Sequence, residues 1–337
     1  MPPDSYVRVT VEQRGIDVSL TIFDRGQNVV AKMDSSNGSR GPETISMISA
    51  VGGVFRLRVL GGRASALKPS YQITMARPRP PIEEDASRVR IEKTTAEAEE
   101  FYGKSIPARG EEKTRLLTHA LNAYQEAREG WRSLGKRYEE ALTAYSLGWC
   151  YSDMGSRDMV KFPLPLYRLR WSYRARGDHQ TAIAYFKEAL AMMKSLGDEH
   201  GQAIALAGLA WPNLYLGNET EAVENFSTAL RMYDSMGNLD GKGRALYGLG
   251  WTQAVLNRNE EALENFSKAL QLRQAANDRR GEALNLASMA RIYSRLGNEQ
   301  QALAYSARAR VLFESKELDD RHGVASTLTT QGWALYG

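Results

Sequence analysis

Three stretches of this chain lie over one another at an offset of 40 residues, without a gap. They are LAGLAWPNLYLGNETEAVENFSTALRMYDSMGN from Leu206, LYGLGWTQAVLNRNEEALENFSKALQLRQAAND from Leu246 and LASMARIYSRLGNEQQALAYSARARVLFESKEL from Leu286. A period of this length commits a chain to a stacked array, because so short a unit buries its apolar face only against its neighbours. Small residues recur at Ala182, Ala222, Ala262 and Ala302, and again at Ala189, Ala229, Ala269 and Ala309. They let two helices approach closely, while Phe186, Phe226 and Phe266 fill the space between hairpins as core. Gly177, Gly217 and Gly297, with Asn257 in the fourth slot, supply the left-handed turn between helices. Gly201, Gly241 and Gly281 precede successive units, and Gly323 follows after a two-residue insertion.

The pattern resembles the tetratricopeptide repeat: a small residue at the eighth position, glycine near the fifteenth, alanine at the twentieth and twenty-seventh, an aromatic at the twenty-fourth. It differs in lacking the terminal proline and in running 40 residues where the repeat has about 34. The longer form is familiar from kinesin-light-chain-like and Pins-like arrays. The resemblance covers 111–337.

Two irregularities interrupt the array. YSLGWCYSDMGSRD from Tyr145 and YRLRWSYRARGDHQ from Tyr167 both read as first helices, yet they start only 22 residues apart. Between them MVKFPLPL carries two prolines, so the hairpin around 156–166 is expected to be degenerate. Pro212 is expected to kink its helix, at a cost of about 3 kcal/mol.

Ahead of the array, residues 6 to about 76 alternate apolar and polar side chains in short runs: YVRVTVEQ, IDVSLTIFD, VFRLRVL and SYQITMA. Glycine-containing turns at Arg14-Gly15, Asn37-Gly38 and Gly61-Gly62 punctuate them. Five or six such strands predict a small antiparallel β-sandwich. The segment from Val7 resembles the prepeptidase-C-terminal-like β-domain, which implies one further strand ahead of Tyr6. ARPRPP then reads as a stiff linker, and EEDASRVRIEKTTAEAEEFY as a solvent-facing or capping helix. The expected fold is therefore multidomain: a β-sandwich over 1–76, a linker and charged helix over 77–110, and an all-α superhelix of about 40-residue hairpins over 111–337, cut short in its last hairpin.

The first helices of such arrays line a concave face, and the resemblance places the ninth position of each repeat in it. That position holds Trp149, Trp171, Trp211, Trp251, Arg291 and Trp333, so five of the six tryptophans share one slot. The fifth position holds Tyr145, Tyr167, Ala207, Tyr247, Ala287 and Thr329. Tryptophan and tyrosine provide large rigid contact area with a polar handle, which suits capture of a peptide or partner domain. Arg174, Arg244, Arg291 and Arg295 would add carboxylate and cation–π contacts. Packing of the same tryptophans between adjacent first helices is the competing expectation.

Chemistry of other kinds has little support. Cys150 is the sole cysteine and sits at a core-like spacing, so no disulfide framework exists. His119, His179, His200 and His322 are far apart and match no metal-ligand or nucleophile spacing. No catalytic residue, metal or cofactor is expected, and no nucleotide-binding loop is present. Residues 1–80 hold 11 basic against 6 acidic side chains. Spread over Arg8, Arg14, Arg25, Arg56, Arg58 and Arg63, that excess reads as a solvated sheet face, too dilute for a nucleic-acid partner. Asn-x-Ser/Thr triplets at Asn37, Asn218, Asn225 and Asn265 carry little weight as glycosylation acceptors, since the last two fall within helices. No run is long and apolar enough for a membrane span. The visible start reads as cytoplasmic, and as exported if an earlier start exists.

The order of parts, with VEQRGIDV as its most specific piece, resembles the amino-terminal half of bacterial CHAT-domain proteins. That resemblance implies a caspase-like peptidase domain after the repeats, on the same polypeptide, and no dyad residue falls within this chain. TLTTQGWALYG, most of a first helix without its cover, carries the same expectation of a continuing chain.

Overall fold

Strands β1 (Ser5–Arg14) and β2 (Ile16–Phe23) follow one another across Gly15, whose φ of +79° suits a residue without Cβ. The turn delivers them to different sheets. β1 is the central strand of one antiparallel sheet, between β4 (Arg40–Ser49) and β6 (Ser70–Met75), with Val9 opposite both Ile45 and Met75. β2 is central in the other, between β3 (Val29–Met33) and β5 (Arg56–Ala64). Alternation along the strands turns Val9, Val11, Val18, Leu20, Ile22 and Ile45 into one shared core between the sheets. Full burial of each such side chain contributes about 1.5–3 kcal/mol. The β-sandwich is as expected. This computed structural model describes residues 1–35, 37–38, 40–64, 69–154, 178–316 and 318–336. The degenerate hairpin around 156–166 and the residues Tyr167, Trp171 and Arg174 lie outside them.

The segment read as a stiff linker is pinned. Arg79 and Tyr6 exchange backbone hydrogen bonds of 3.2 and 2.7 Å, and the Arg79 guanidinium clasps both oxygens of Asp85 at 2.6 and 2.9 Å. The helix that follows, α1 (Glu83–Ser105), read as solvent-facing or capping, is not the solvent-facing of the two. Arg88, Ile91, Glu92 and Ala98 are buried, where α1 packs on β4 and on α2 (Gly110–Ser133). Its polar residues are tolerated because the sheet supplies partners: Glu92 accepts from the Ser46 amide at 2.6 Å and the Ser46 hydroxyl at 2.9 Å. Arg8 is corrected with it. Its charge acts on buried Glu92, whereas Arg14, Arg25, Arg56 and Arg58 are exposed as expected.

Two compact units divide the chain, Met1–Leu216 and Gly217–Gly337. The first adds α3 (Arg137–Met154), α4 (His179–Ser195) and α5 (Glu199–Leu216) to the sandwich, α1 and α2. Among the described residues it is α3 that pairs with α4. Pro212 is buried inside α5, which continues as helix through Leu216. The second unit holds α6 (Glu219–Ser235), α7 (Leu239–Val255), α8 (Asn259–Ala275), α9 (Arg279–Arg295), α10 (Glu299–Phe313) and α11 (Arg321–Tyr336). Turns fall where the period put them: Gly217, Asn257 and Gly297 have φ of +84°, +61° and +69°. Asn238 and Asp278 cap α7 and α9 by accepting from the Gly241 and Gly281 amides at 2.9 and 3.0 Å.

The phenylalanines are fully buried, each seated on glycine. A Cβ on Gly148 or Gly208 would lie 2.8 or 2.6 Å from the Phe186 ring, and one on Gly250 would lie 2.7 Å from Phe266. This sets up an opposition of known size. Gly→Ala in a helix interior gains about 1 kcal/mol in propensity, while overpacking costs about 1–3 kcal/mol. Gly250→Ala is therefore expected to lower the midpoint of thermal unfolding. A raised midpoint would show that the ring has room to yield.

Candidate functional site

The sequence-predicted residues on α3 and α7 form the same constellation twice. On α3, Tyr145 and Trp149 are four residues apart, so their rings meet edge to face at 6.3 Å. Both rest on Phe186, at 5.6 and 5.5 Å. On α7, Tyr247 and Trp251 meet at 6.4 Å and rest on Phe266 at 5.6 and 5.7 Å. Edge-on aromatic packing of this kind adds about 0.5–1.5 kcal/mol per pair beyond burial. All four outer rings are half-buried while the phenylalanines beneath them are sealed. Each tryptophan thus has one side in the core and another at the surface, which combines the two expectations for this slot.

In the second unit, the Arg291 guanidinium lies 5.2 Å from the Trp251 ring centroid and donates to the Ser326 hydroxyl at 3.3 Å. A cation over tryptophan is worth about 0.5–2 kcal/mol, more as water is excluded. Arg295 has a different task. It donates to the Ala254 carbonyl and to Asn257 Oδ1, both at 3.0 Å, and so closes the carboxyl end of α7. Arg244 is exposed and pairs with Asp240 one turn earlier, at 2.8 Å. Trp333 on α11 is 36% exposed.

Trp211 on α5 is half-buried, with the Tyr215 ring 6.2 Å away. Tyr215 was not among the predicted residues. The signal for it is the spacing of four after Trp211, which on a helix replaces the tyrosine that Ala207 does not provide. Its ring in turn lies 5.0 Å from buried His179.

No described helix is long and apolar enough to cross a membrane. Among the described residues no group of three or more His, Cys, Asp and Glu side chains is placed to hold a metal. Cys150 is a buried free thiol, held well above the ordinary thiol range by burial and by Glu99 and Asp153, the opposite of what a nucleophile needs.

Two tetratricopeptide-repeat family models match the chain, at 172–235 and 243–275. No curated protein matches it. Among solved structures, aspartyl phosphate phosphatase F from Bacillus subtilis is 14% identical with a TM-score of 0.58, over 75% of this chain and 58% of that one. A Rap protein in complex with competence and sporulation factor is 14% identical with a TM-score of 0.55, over 72% and 63%. The tetratricopeptide-repeat sensor of a signal transduction ATPase from Pyrococcus horikoshii is 14% identical with a TM-score of 0.52, over 74% and 34%. The matched region therefore spans less than two thirds of each of these proteins. Identities this low establish a shared fold. Residues 172–235 and 243–275 match tetratricopeptide repeats, and the comparisons reveal no CHAT-domain relative.

Proposed function

We propose that the array is a protein-interaction scaffold that captures a peptide or partner domain on its first-helix surface. The observation that carries this reading is the repeated tyrosine–tryptophan pair, clamped from below by a sealed phenylalanine and open above. Anchors of this kind lose little side-chain entropy on binding, because the core already fixes them. Arg291 over Trp251 favours a ligand that brings a carboxylate to an aromatic contact. A protein of the same fold solved with a bound factor supports the reading by analogy.

The test begins with peptides selected from a random library against the intact chain. Trp211→Ala together with Trp251→Ala is expected to weaken the selected peptides by about a thousandfold, at roughly 2 kcal/mol per anchor lost. Circular dichroism should show unchanged helix. Undiminished binding by the folded double variant would remove the surface from consideration.

A second reading makes this region the sensor of a larger CHAT-type cysteine peptidase, with a β-domain at 1–76, a linker at 77–110 and repeats beyond. It is supported by the VEQRGIDV segment and by a β-sandwich standing ahead of the repeats. The intact mass of the native protein, against the 37.6 kDa of this chain, tests it: equality leaves no room for a peptidase domain.

A further inference from the structure

Sheet β4–β1–β6 and helices α1, α2 and α3 enclose a cavity of about 270 Å³. Water in the liquid takes about 30 Å³ per molecule, so the space holds a small organic molecule of several heavy atoms. Its charge is one-sided. Glu12, Glu43, Glu92, Glu99 and Glu139 line it, and Arg8 is the sole basic side chain among the described residues that do. Two of these side chains, Glu43 and Glu92, are sealed from solvent, accept from Ser35 and Ser46, and are raised by burial to about 8 and about 7, so they add little charge near neutral pH; exposed Glu12 marks the side that meets water.

The rest of the lining mixes serine and threonine hydroxyls with apolar side chains and three aromatic rings, Tyr124, Trp131 and Tyr138, contributed by α2 and α3. Tyr124 is fully buried, and its hydroxyl lies near Glu99 and Ser146 without a well-formed hydrogen bond to either. A buried hydroxyl left in that state calls for a partner inside the cavity. The Glu12, Glu99 and Glu139 carboxylates about one cavity favour a cation over an anion, and aromatic faces attract cations as well. A bare metal ion fits poorly, because no three of these acidic groups converge on a point. An anion would meet Glu12, Glu99 and Glu139.

We infer that this cavity is a binding site for a small organic cation, an alkylamine carrying one or two ammonium groups. The carboxylates take the ammonium, the aromatic rings take the alkyl stem, and the Tyr124 hydroxyl gains its partner. The site lies apart from the tyrosine–tryptophan surface and does not depend on the scaffold reading.

The test uses calorimetry on the intact chain near neutral pH and at about 0.15 M salt, which screens adventitious surface attraction. The probes are butylamine, putrescine and cadaverine, with glutarate and butanediol as anionic and neutral counterparts. Saturable one-site binding of at least one ammonium compound is expected, with neither counterpart matching it. Glu99→Gln should weaken that binding by about tenfold or more, the loss of one charge-assisted contact. Binding of no ammonium probe, equal binding of glutarate or butanediol, or undiminished binding by folded Glu99→Gln would overturn the inference. If Glu99→Gln loses its helical circular dichroism, Glu139→Gln at the half-buried edge decides by the same criterion.

Discussion

Arg273→Ala is expected to destabilise the second unit by about 3–5 kcal/mol, the range for breaking a buried ion pair from one side. A single nitrogen, Nη1 of Arg273, donates to Asp240 at 2.7 Å and to Asp278 at 2.6 Å. The Arg273 and Asp278 side chains are 8% and 1% exposed, so removal of the cation strands a carboxylate in the core. The second helices of the neighbouring hairpins show why an arginine here is costly to remove but not required by the fold. Forty residues either way, Tyr233 and Phe313 occupy the same register, each over the glycine that opens the next helix. There the slot is filled by an apolar ring. A stack of equivalent slots therefore contains one charged layer, at α8. The companion experiment replaces the buried pair as a whole: Arg273→Met with Asp278→Asn should recover most of the loss, because asparagine keeps an acceptor for the Gly281 amide, as Asn238 does for Gly241. Urea unfolding at neutral pH reads both. A loss below about 1 kcal/mol for Arg273→Ala would mean that the three groups are solvated, as in a surface pair.

The array was legible because its signals are backbone signals. A fixed offset of 40 residues placed the small residues, the phenylalanines and the left-handed positions Gly217, Asn257 and Gly297 in register, and each requirement is met locally. The paired tyrosine and tryptophan were legible for the same reason, since a spacing of four on a helix brings two rings together wherever the helix stands. What the pattern could not reveal is which ring faces out. Trp149 and Trp251 lie half in the core, and that depends on Phe186 and Phe266 arriving from another helix. The hydrogen bonds of Arg295 were not legible because its partners, the Ala254 carbonyl and Asn257, are 41 and 38 residues distant. The charged helix α1 was the largest departure. Sequence alone gives it no apolar stripe, so it reads as solvated, and its burial follows from hydrogen-bond donors on β4 that no periodicity links to it. The cavity was illegible on the same ground: its acidic lining is drawn from β1, β4, α1 and α3, each residue unremarkable in its own stretch.

Those same buried carboxylates make the stability of the first unit depend on pH in an unusual sense. Burial raises Glu92 from an ordinary value of 4.5 to about 7, against the opposing pull of the Ser46 donors, Arg88 and Arg8. Burial likewise raises Glu43 to about 8, against the Ser35 donors. A carboxyl raised on folding binds its proton more tightly in the native state. Its contribution is therefore complete below the unfolded value near 4.5 and is lost as pH climbs through the folded value. The native state should be most stable on the acid side of neutrality and weaken between about pH 4.5 and 8, where a protein with salt-bridged carboxylates would gain stability. At about 1.36 kcal/mol per pH unit, Glu92 alone accounts for a decline of roughly 3 kcal/mol across that window. Glu92→Gln mimics the protonated side chain, keeps an acceptor for the Ser46 amide and has nothing to ionise. It should match the parent near pH 4.5, exceed it at pH 8 and reduce the decline, leaving the part due to Glu43, which continues to about pH 8. Glu126→Gln, exposed on α2, should leave the slope as it is. Denaturant midpoints taken across this range decide the matter. A parent whose stability rises from pH 4.5 to 8, or a Glu92→Gln variant weaker than it at pH 8, would mean that Glu92 is held ionised, with Arg8 and Arg88 as its true partners.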